Sequence, residues 1–322
     1  MLKLVGSTDL EYPGACMALA PDGSMLATGN LRGQVSIWSF PELRLATSFQ
    51  GHSEGTTCMA FTPRGDYLVG GGSGGVRLWR RPGWELTREI GRFDGRTVGV
   101  FSLCITRDQH YLCAVGHDEP VLPPPKKESS SDAARGSFRY LRLWTFPSGE
   151  LVKEVVRGWT SPFDCIVASP NGSMLATADD SGVALWSMPD ANHIKTLHDI
   201  QRGYYCLAIS PDGRLLACAS KDGHVLVYTL PDGNLFVTLS GHKGAVMSVA
   251  FSPDSKLLAS GAYDMSIRTW LMPEGKELDC KPSYPIVSKD LAFSSDGRLL
   301  FCMGSTAGMV EGATPQIQVY QV

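Results

Sequence analysis

The feature that most constrains the fold of this chain is a motif that recurs along its length. The clearest copy, GHKGAVMSVAFSPDSKLLASGAYDMSIRTW at 241–270, has three short apolar runs that are separated by turn residues and closed by a tryptophan. Six further segments carry the same pattern, and the third and seventh units are interrupted. Outside the interruptions the closing aromatic residues recur about every 42 residues, a period typical of repeat architectures. These aromatic residues are Trp38, Trp79, Trp144, Trp186, Tyr228, Trp270 and Tyr320.

A second periodic signal agrees with the first. A proline stands three residues after each of the first six aromatic residues, and proline marks the end of a strand because it has no N–H to donate to a sheet. The apolar runs are short, rich in Val, Ile, Leu and Ala, and show no sustained helical periodicity. The pattern predicts four short strands per unit. In the clearest unit these strands are FVTLS, AVMSVAF, KLLASG and SIRTW.

The period, the Gly51-His52 and Gly241-His242 pairs, the Ser-Pro-Asp-Gly turns and the closing tryptophans resemble those of the WD-repeat β-propellers over essentially the whole chain. The resemblance implies an all-β fold: a ring of seven blades, each of four antiparallel strands, around a central channel. It also implies that the N-terminal strand closes the last blade, because the last unit is one strand short and the chain starts with one to spare. We therefore expect 1–322 to form a single propeller domain.

In the family, a His, a Ser or Thr, an Asp and the Trp of one blade form a buried hydrogen-bond chain, which orders the blade when every member is satisfied. Only the sixth unit has the full set, and the resemblance implies a structural tetrad of His242, Ser260, Asp264 and Trp270. Arg32 and Ser73 stand at the aspartate position of the first and second units. Elsewhere we expect cohesion from apolar strand packing and ring closure.

Bulk composition narrows the possible classes. With 43% hydrophobic and 19% charged residues the chain has the composition of a globular protein, and no apolar run is long enough for a membrane helix. The start, MLKLVGSTDLEYPG, lacks the pattern of a signal peptide. A net charge of −3 and a pI near 6.2 give no bulk argument for binding nucleic acid or an anionic membrane. We expect a cytoplasmic protein, with the nucleus as the other intracellular option.

The nine cysteines include no C-x-x-C pair, which argues against a zinc site and against a complete disulfide framework. Four of them occupy one repeat position on the predicted innermost strand, where small side chains fit. We expect no metal, redox or cofactor role there, on the expectation that no histidine or carboxylate shares this position. The four are Cys16, Cys58, Cys165 and Cys206.

Other chemical motifs are interpreted as structural. The segment GGGSGG at 70–75 satisfies both G-x-G-x-x-G and G-x-S-x-G, but each motif needs a helix after the glycines and the strand VRLW follows here. The seven histidines include no H-E-x-x-H motif and no consistent partner for a nucleophile. We predict no catalytic residue.

An insert at 119–138, EPVLPPPKKESSSDAARGSF, separates the second and third strands of the third unit. Its proline, serine and charged residues cannot bury enough apolar surface to fold alone, so we expect a flexible loop. The alternative is a proline-rich docking segment or a phosphorylation site at Ser129, Ser130 and Ser131.

The insert and a second one near 307–315 belong to loops that, in the family, open on one face of the propeller, the top face. Variation on one face of a regular scaffold indicates where binding occurs. Family binding surfaces commonly use the residue before the aspartate position and a bulge residue in the first strand, and aromatic residues and Met are typical of interface centres. The alternative is that the large apolar members close the channel mouth. The predicted protein-binding residues are Phe101, His117, Asp164, Asp179, Tyr205, Lys221, Met247, Tyr263 and Lys289.

These observations favour a non-enzymatic scaffold that binds a peptide segment or a partner domain at the top face, as a monomer within a larger complex and without membrane contact. A propeller enzyme with a small-molecule site at the channel mouth is an alternative, disfavoured because no acid pair, nucleophile–base set or metal cluster recurs in one register. An RNA-associated complex subunit is the third option, and the acidic pI argues against nucleic acid as a direct ligand. The scaffold hypothesis rests largely on family analogy.

Overall fold

The computed structural model describes residues 2–91, 96–120, 138–157, 165–179, 182–197, 203–283, 287–305 and 314–322. Within these ranges twenty-eight strands form seven antiparallel sheets of four strands each, as predicted. No helix in the described ranges has the length and apolar character needed to cross a membrane. The first strands of neighbouring sheets contact one another all the way around, so the sheets are the blades of a closed ring.

The first three blades have the following strands. Blade 1 consists of β2 (Gly14–Leu19), β3 (Met25–Asn30), β4 (Gln34–Ser39) and β5 (Arg44–Gln50). Blade 2 consists of β6 (Thr56–Phe61), β7 (Tyr67–Gly72), β8 (Gly75–Arg80) and β9 (Glu85–Ile90). Blade 3 consists of β10 (Arg96–Ile105), β11 (Tyr111–Pro120), β12 (Phe138–Thr145) and β13 (Leu151–Arg157).

The remaining blades follow the same order. Blade 4 consists of β14 (Cys165–Ala168), β15 (Met174–Asp179), β16 (Gly182–Ser187) and β17 (His193–Leu197). Blade 5 consists of β18 (Tyr204–Ile209), β19 (Leu215–Ser220), β20 (His224–Thr229) and β21 (Asn234–Ser240). Blade 6 consists of β22 (Val246–Phe251), β23 (Leu257–Ala262), β24 (Ser266–Leu271) and β25 (Lys276–Pro282). Blade 7 consists of β26 (Val287–Phe293), β27 (Leu299–Ser305), β28 (Gln316–Gln321) and β1 (Lys3–Asp9).

The ring closes through the first strand of the chain. β1 pairs antiparallel with β28, from Lys3 opposite Gln321 to Asp9 opposite Gln316, so the prediction that the N-terminal strand completes the last blade is confirmed. The sequence repeat and the blade are offset by one strand, because FVTLS lies in β21, the outer strand of blade 5, and not in blade 6. Each sequence unit therefore contributes its first strand to one blade and its remaining strands to the next, which connects neighbouring blades.

The core lies between the blades. Each closing aromatic residue packs against the preceding blade: Trp79 lies among Val35 and Ile37 of blade 1, and Trp270 lies among Val225 and Val227 of blade 5. The last interface follows the same rule, since Trp38 of blade 1 packs on residues of blade 7. Burial of such side chains stabilises a fold by about 1.5–3 kcal/mol each, so the aromatic period in the sequence is the period of blade-to-blade packing.

The insert in blade 3 begins later and ends earlier than predicted. Glu119 and Pro120 belong to β11, opposite Thr97 and Arg96 of β10, and Phe138 begins β12. Glu119 and Pro120 thus pair with a ten-residue first strand, and Phe138 pairs with Asp118 of the second strand. The repeat did not indicate this length because the strands of the other blades are shorter. Residues 121–137, including the predicted phosphorylation site Ser129, Ser130 and Ser131, lie outside the described residues.

Candidate functional site

One end of the ring gathers the positions at which the sequence predicted binding. In each antiparallel blade the segment entering the first strand and the turn between the second and third strands lie at the same end, the top face. The first strands are innermost, since they contact one another around the ring. Side chains at the beginning of the first strands therefore lie around the mouth of the channel on this face.

The bulge positions of the first strands lie where the sequence placed them. The pairing register shifts by one residue near the top of the first strand in six blades, which leaves one residue of each strand out of the ladder. The residues of blades 3, 5 and 6 that it leaves out, Phe101, Tyr205 and Met247, are each half-buried. Asp164 of blade 4 is outside the described residues, and the side chain of Lys289 is not described. The displaced residues are Ala15, Thr57, Phe101, Tyr205, Met247 and Lys289.

Two pairs of predicted residues come together on the top face. The ring of Phe101 stacks on His117 with centroids 5.0 Å apart and 22° between planes, and the Arg139 guanidinium lies 5.2 Å from the Phe101 centroid. In blade 5 the Lys221 Nζ lies 4.8 Å from the centroid of Tyr205. Both contacts are within the range of cation–aromatic attraction.

A third cation–aromatic pair was missed by the sequence analysis. The Arg32 guanidinium lies 4.1 Å from the ring centroid of Tyr12, in blade 1. Arg32 was recorded only as the residue that replaces an aspartate, and Tyr12 precedes the first strand by two residues. The replacement of aspartate by arginine was the signal that could have found the pair. An arginine cannot make the hydrogen bonds of the tetrad carboxylate, so its side chain must have another partner.

Two further predicted residues, Tyr263 and Asp179, differ in their exposure. Tyr263 is half-buried in the turn that follows β23 and lies on the top face. Asp179 lies within β15 and is only 9% exposed, so its side chain offers little surface to a partner, and its predicted binding role stays a prediction. The strand pairs to its last residue, since Asp179 lies opposite Gly182, and this pairing buries it.

The four tetrad residues of blade 6 form one hydrogen-bond chain. Trp270 Nε1 donates to Ser260 Oγ at 2.9 Å, and Ser260 Oγ lies 2.8 Å from His242 Nε2. His242 Nδ1 lies 3.1 Å from Asp264 Oδ2, which also accepts the Lys243 N–H at 2.8 Å. Burial raises the pKa of Asp264, but the hydrogen bonds from His242, the Lys243 N–H and Ser266 outweigh it and hold that pKa well below its ordinary value.

Blade 2 keeps the histidine without its partners. His52 Nδ1 lies 3.3 Å from the Ser73 carbonyl oxygen, and His52 Nε2 has no hydrogen-bond partner because Gly70 stands at the serine position. Burial and the neighbouring Arg77 cation lower the pKa of His52 to about 4. The tip of the Trp79 ring occupies the space next to Gly70. Blade 2 is thus held by packing at the place where blade 6 is held by hydrogen bonds.

Blade 3 replaces the tetrad by a buried ion pair that sequence analysis missed. Arg142 is 2% exposed, and its Nη1 donates to Asp118 Oδ1 at 3.1 Å while its Nε donates to Glu154 Oε1 at 2.6 Å. Asp118 stands at the aspartate position, so the carboxylate is retained and the cation differs. The guanidinium also lies 3.9 Å from the centroid of Tyr140. A buried pair of this kind fixes geometry more than it adds stability.

The cysteine register on the innermost strands contains a carboxylate, contrary to expectation. Asp290 occupies in blade 7 the position that Cys16, Cys165 and Cys206 occupy elsewhere. Its Oδ2 accepts the Met17 N–H of blade 1 at 2.9 Å, and burial raises the pKa of Asp290 to about 7. Side chains at this position therefore link neighbouring blades: Cys165 Sγ likewise accepts the N–H of Leu207 at 3.3 Å.

The described part of the chain contains no arrangement of residues suited to a metal ion, and its glycine-rich segment does not form a nucleotide-binding loop. No group of three or more His, Cys, Asp or Glu side chains in the described residues is arranged to hold a metal ion. None of the nine cysteines, all within the described residues, forms a disulfide, and burial raises the pKa of the Cys58 thiol to about 12. In GGGSGG the glycines end β7 and begin β8, with left-handed φ at Gly74 and Gly75, so the segment forms a tight turn between strands.

A small cavity lies in blade 1 beside the cation–aromatic pair. Its volume is about 70 Å³, and its lining includes Leu10, Tyr12, Thr28 and Trp38. Leu10 stands at the position of the tetrad histidine, so only the bond from Trp38 Nε1 to Thr28 Oγ1, 3.0 Å, remains of the tetrad. The cavity is open, mixed in polarity, and holds no cluster of acid, base and nucleophile.

Comparison with known proteins places these features in a family. The family model "WD domain, G-beta repeat" matches residues 43–80, 149–187, 192–229 and 233–270. The protein ROOT INITIATION DEFECTIVE 3 of Arabidopsis thaliana is 24% identical over 224 residues, which cover 65% of this chain and 47% of that protein. The periodic tryptophan protein 2 homolog of Mus musculus is 25% identical over 238 residues, 64% of this chain and 25% of that protein.

A third relative is similar over a shorter stretch. The small ribosomal subunit protein RACK1y of Oryza sativa subsp. japonica is 27% identical over 108 residues, 32% of this chain and 31% of that protein. The chain spans less than half the length of each of these relatives. Four matched repeats, seven four-stranded blades and a closing strand from the N-terminus lead to one conclusion: the chain belongs to the WD-repeat family of β-propellers.

Proposed function

We propose that this propeller is a non-enzymatic protein-interaction module that binds a peptide segment or a partner domain on its top face. Propellers of the WD-repeat family are generally protein-interaction scaffolds in complexes, and generally not enzymes. The observation that carries the proposal here is the pair of bulges at Phe101 and Tyr205. Each presents a large, half-buried ring at the channel mouth with a cation against it.

The scaffold itself does not require these rings. Ala15 and Thr57 occupy the same bulge in blades 1 and 2, so the position tolerates small and polar side chains. Aromatic residues that packing does not demand are typical of the centres of protein interfaces. Nine cysteines without a disulfide among them support the further proposal that the protein works inside the cell, where thiols stay reduced.

The proposal is tested by affinity capture from a cell lysate with quantitative mass spectrometry. The test variant is Phe101→Ala, Tyr205→Ala, Tyr263→Ala. The matched control is Leu45→Ala, Phe236→Ala, Leu278→Ala, which removes three exposed large apolar side chains from the outer strands of blades 1, 5 and 6. Both variants are first checked for an unchanged circular dichroism melt.

We expect the intact protein and the control to capture one common set of partners, and the test variant to lose it. Loss of about 2 kcal/mol for a central aromatic anchor corresponds to more than tenfold weaker binding, which a capture experiment resolves. Equal capture by all three proteins would show that partners bind elsewhere on the propeller.

A further inference from the structure

We propose that the partner segment is acidic, and that its carboxylates are held by three cations that lie over aromatic rings on the top face. This inference rests on the proposed function, since it gives the chemistry of the partner for the same face. The distances from cation to ring centroid are 4.1, 5.2 and 4.8 Å. The pairs are Arg32 on Tyr12, Arg139 on Phe101 and Lys221 on Tyr205.

The three pairs are built alike and lie in alternate blades. In blades 3 and 5 the ring comes from the bulge of the first strand, and in blade 1 it comes from Tyr12, two residues before the first strand. The cation comes from the connection between the second and third strands, or from the first residues after it. Both segments are at the top of an antiparallel blade, so the three cations lie around the channel mouth, separated by two, two and three blades.

Stacking prepares these cations for carboxylates. A ring that covers the face of a guanidinium leaves its in-plane N–H groups directed away from the ring, and these are the groups that bind a carboxylate side by side. A side chain already held against a ring loses less conformational freedom when a ligand binds. In Arg32, whose side chain is exposed, no described carboxylate forms an ion pair with the guanidinium.

Three aspartates of the top face are bonded to groups of their own blade. Asp264 is bonded to His242 and the Lys243 N–H, Asp118 to Arg142, and Asp222 to His224 at 3.0 Å. The carboxylates at these positions therefore act within the blades. Lys243, on the same face, is exposed and contributes a further positive charge.

On the opposite face, the turns between the first and second strands pair their charges locally. Each turn between the first and second strands that carries an exposed cation in blades 3, 5, 6 and 7 also carries an exposed aspartate. The aspartate is within two residues of the cation, so the two charges compensate locally. These pairs are Arg107 with Asp108, Arg214 with Asp212, Lys256 with Asp254, and Arg298 with Asp296.

The geometry favours a protein segment over a nucleic acid. Glu11 and Glu54 are exposed on the same face, so positive charge is offered only at separate points and a continuous polyanion would be repelled between them. The ring faces that a base would stack on are covered by the cations, and the chain as a whole carries a net charge of −3. Separate carboxylates at the spacing of the three pairs fit this surface.

The test is selection of a random 12-residue peptide library displayed on phage against the intact protein. The enriched peptides are then synthesised, and their affinity is measured by fluorescence anisotropy. The test variant is Arg32→Glu, Arg139→Glu, Lys221→Glu. The matched control reverses the same number of charges on the opposite face: Arg107→Glu, Arg214→Glu, Lys256→Glu. If the triple variant does not fold, Arg32→Glu alone takes its place, since that side chain is exposed.

We expect the enriched peptides to be richer in Asp and Glu than the library. Their affinity should fall by about tenfold or more in the test variant and by less than about twofold in the control. The charge-reversed protein should in turn select peptides richer in Lys and Arg.

Three results would overturn the inference. Neutral or basic peptides whose binding is lost in Phe101→Ala, Tyr205→Ala but kept in the charge-reversed variant would leave the proposed top-face function standing and remove the acidic partner. Peptides indifferent to both variants, or no enrichment at all, would count against the proposed function as well. Tighter Arg32-dependent binding of a 12-nucleotide oligouridylate than of any acidic peptide would assign the face to RNA.

Discussion

At the scale of single residues, Ser260 holds the hydrogen-bond chain of blade 6 together. Its hydroxyl accepts from Trp270 Nε1 and lies 2.8 Å from His242 Nε2, so Ser260→Ala leaves two buried polar groups without partners. We expect a loss of about 1–3 kcal/mol in the free energy of unfolding, measured by urea denaturation with tryptophan fluorescence. Ser260→Thr is the control, because Thr28 and Thr177 accept the tryptophan N–H in blades 1 and 4. Equal loss in both variants would mean that the site does not accommodate the added methyl group, or that the hydroxyl does not carry the stabilisation.

A serine introduced at the equivalent position of blade 2, Gly70, is expected to destabilise the protein. Gly70→Ser restores the consensus next to His52, but a Cβ at Gly70 would lie 2.7 Å from Cζ3 of Trp79. The ring would have to move within a packed interface, so the variant should be less stable by about 1–3 kcal/mol despite the new hydroxyl. The urea midpoint measures this. A more stable variant would show that Trp79 has room to rotate and that the orphaned His52 Nε2 is the weaker point of the blade.

At the scale of elements, the turn between the first and second strands has one position with left-handed backbone. Gly213 holds it in blade 5 with φ of 75°, and Ser255 holds it in blade 6 with φ of 62°. Left-handed backbone costs an L-residue about 1–2 kcal/mol relative to glycine. Gly213→Ala should therefore destabilise by about 1 kcal/mol, whereas Ser255→Gly should gain less, because it also loses the bond from the Asp212 N–H to Ser255 Oγ at 3.1 Å. Thermal melts of both variants measure whether each substitution lowers or raises the melting temperature. A lower melting temperature for Ser255→Gly would mean that the lost hydrogen bond outweighs the relief of the left-handed backbone.

The elements were largely predictable because their signals are local. Turn glycines, the prolines that follow the aromatic residues and alternating apolar runs act over a few residues, and they placed the first three strands of blade 6 and the outer strand of blade 5. The ends of the insert could not be predicted in this way, because Glu119 and Phe138 pair with residues that are about 20 positions away in the sequence. The bulges at Phe101 and Tyr205 followed from the family register. The cations that lie on these rings depend on side-chain approach between segments, which no repeat encodes.

At the scale of the whole molecule, blade 7 contains both chain termini and the buried carboxylate of Asp290. Blade 7 borrows β1 from the N-terminus, and its innermost strand joins blade 1 through Asp290, which accepts the Met17 N–H at 2.9 Å. Cysteine or serine fills the equivalent position in the other six blades. The closing interface is thus the one that carries a charge which can be lost or gained with pH.

This charge makes the stability of the ring depend on pH. Burial raises the pKa of Asp290 in the folded protein to about 7, above the value of about 3.9 expected for an unfolded chain. Between these values the folded state binds more protons than the unfolded state, so stability falls as pH rises from about 4 through 7. Asp290→Asn cannot ionise, and it should reduce this fall, so that its advantage over the parent protein grows towards pH 8. Urea midpoints at pH 5, 6, 7 and 8 measure the difference, with Asp254→Asn as the control, because hydrogen bonds from Ser252 and the Lys256 N–H lower the pKa of that exposed aspartate. A constant difference between Asp290→Asn and the parent across this range would mean that Asp290 stays ionised in the folded ring, with its charge stabilised by the Met17 N–H.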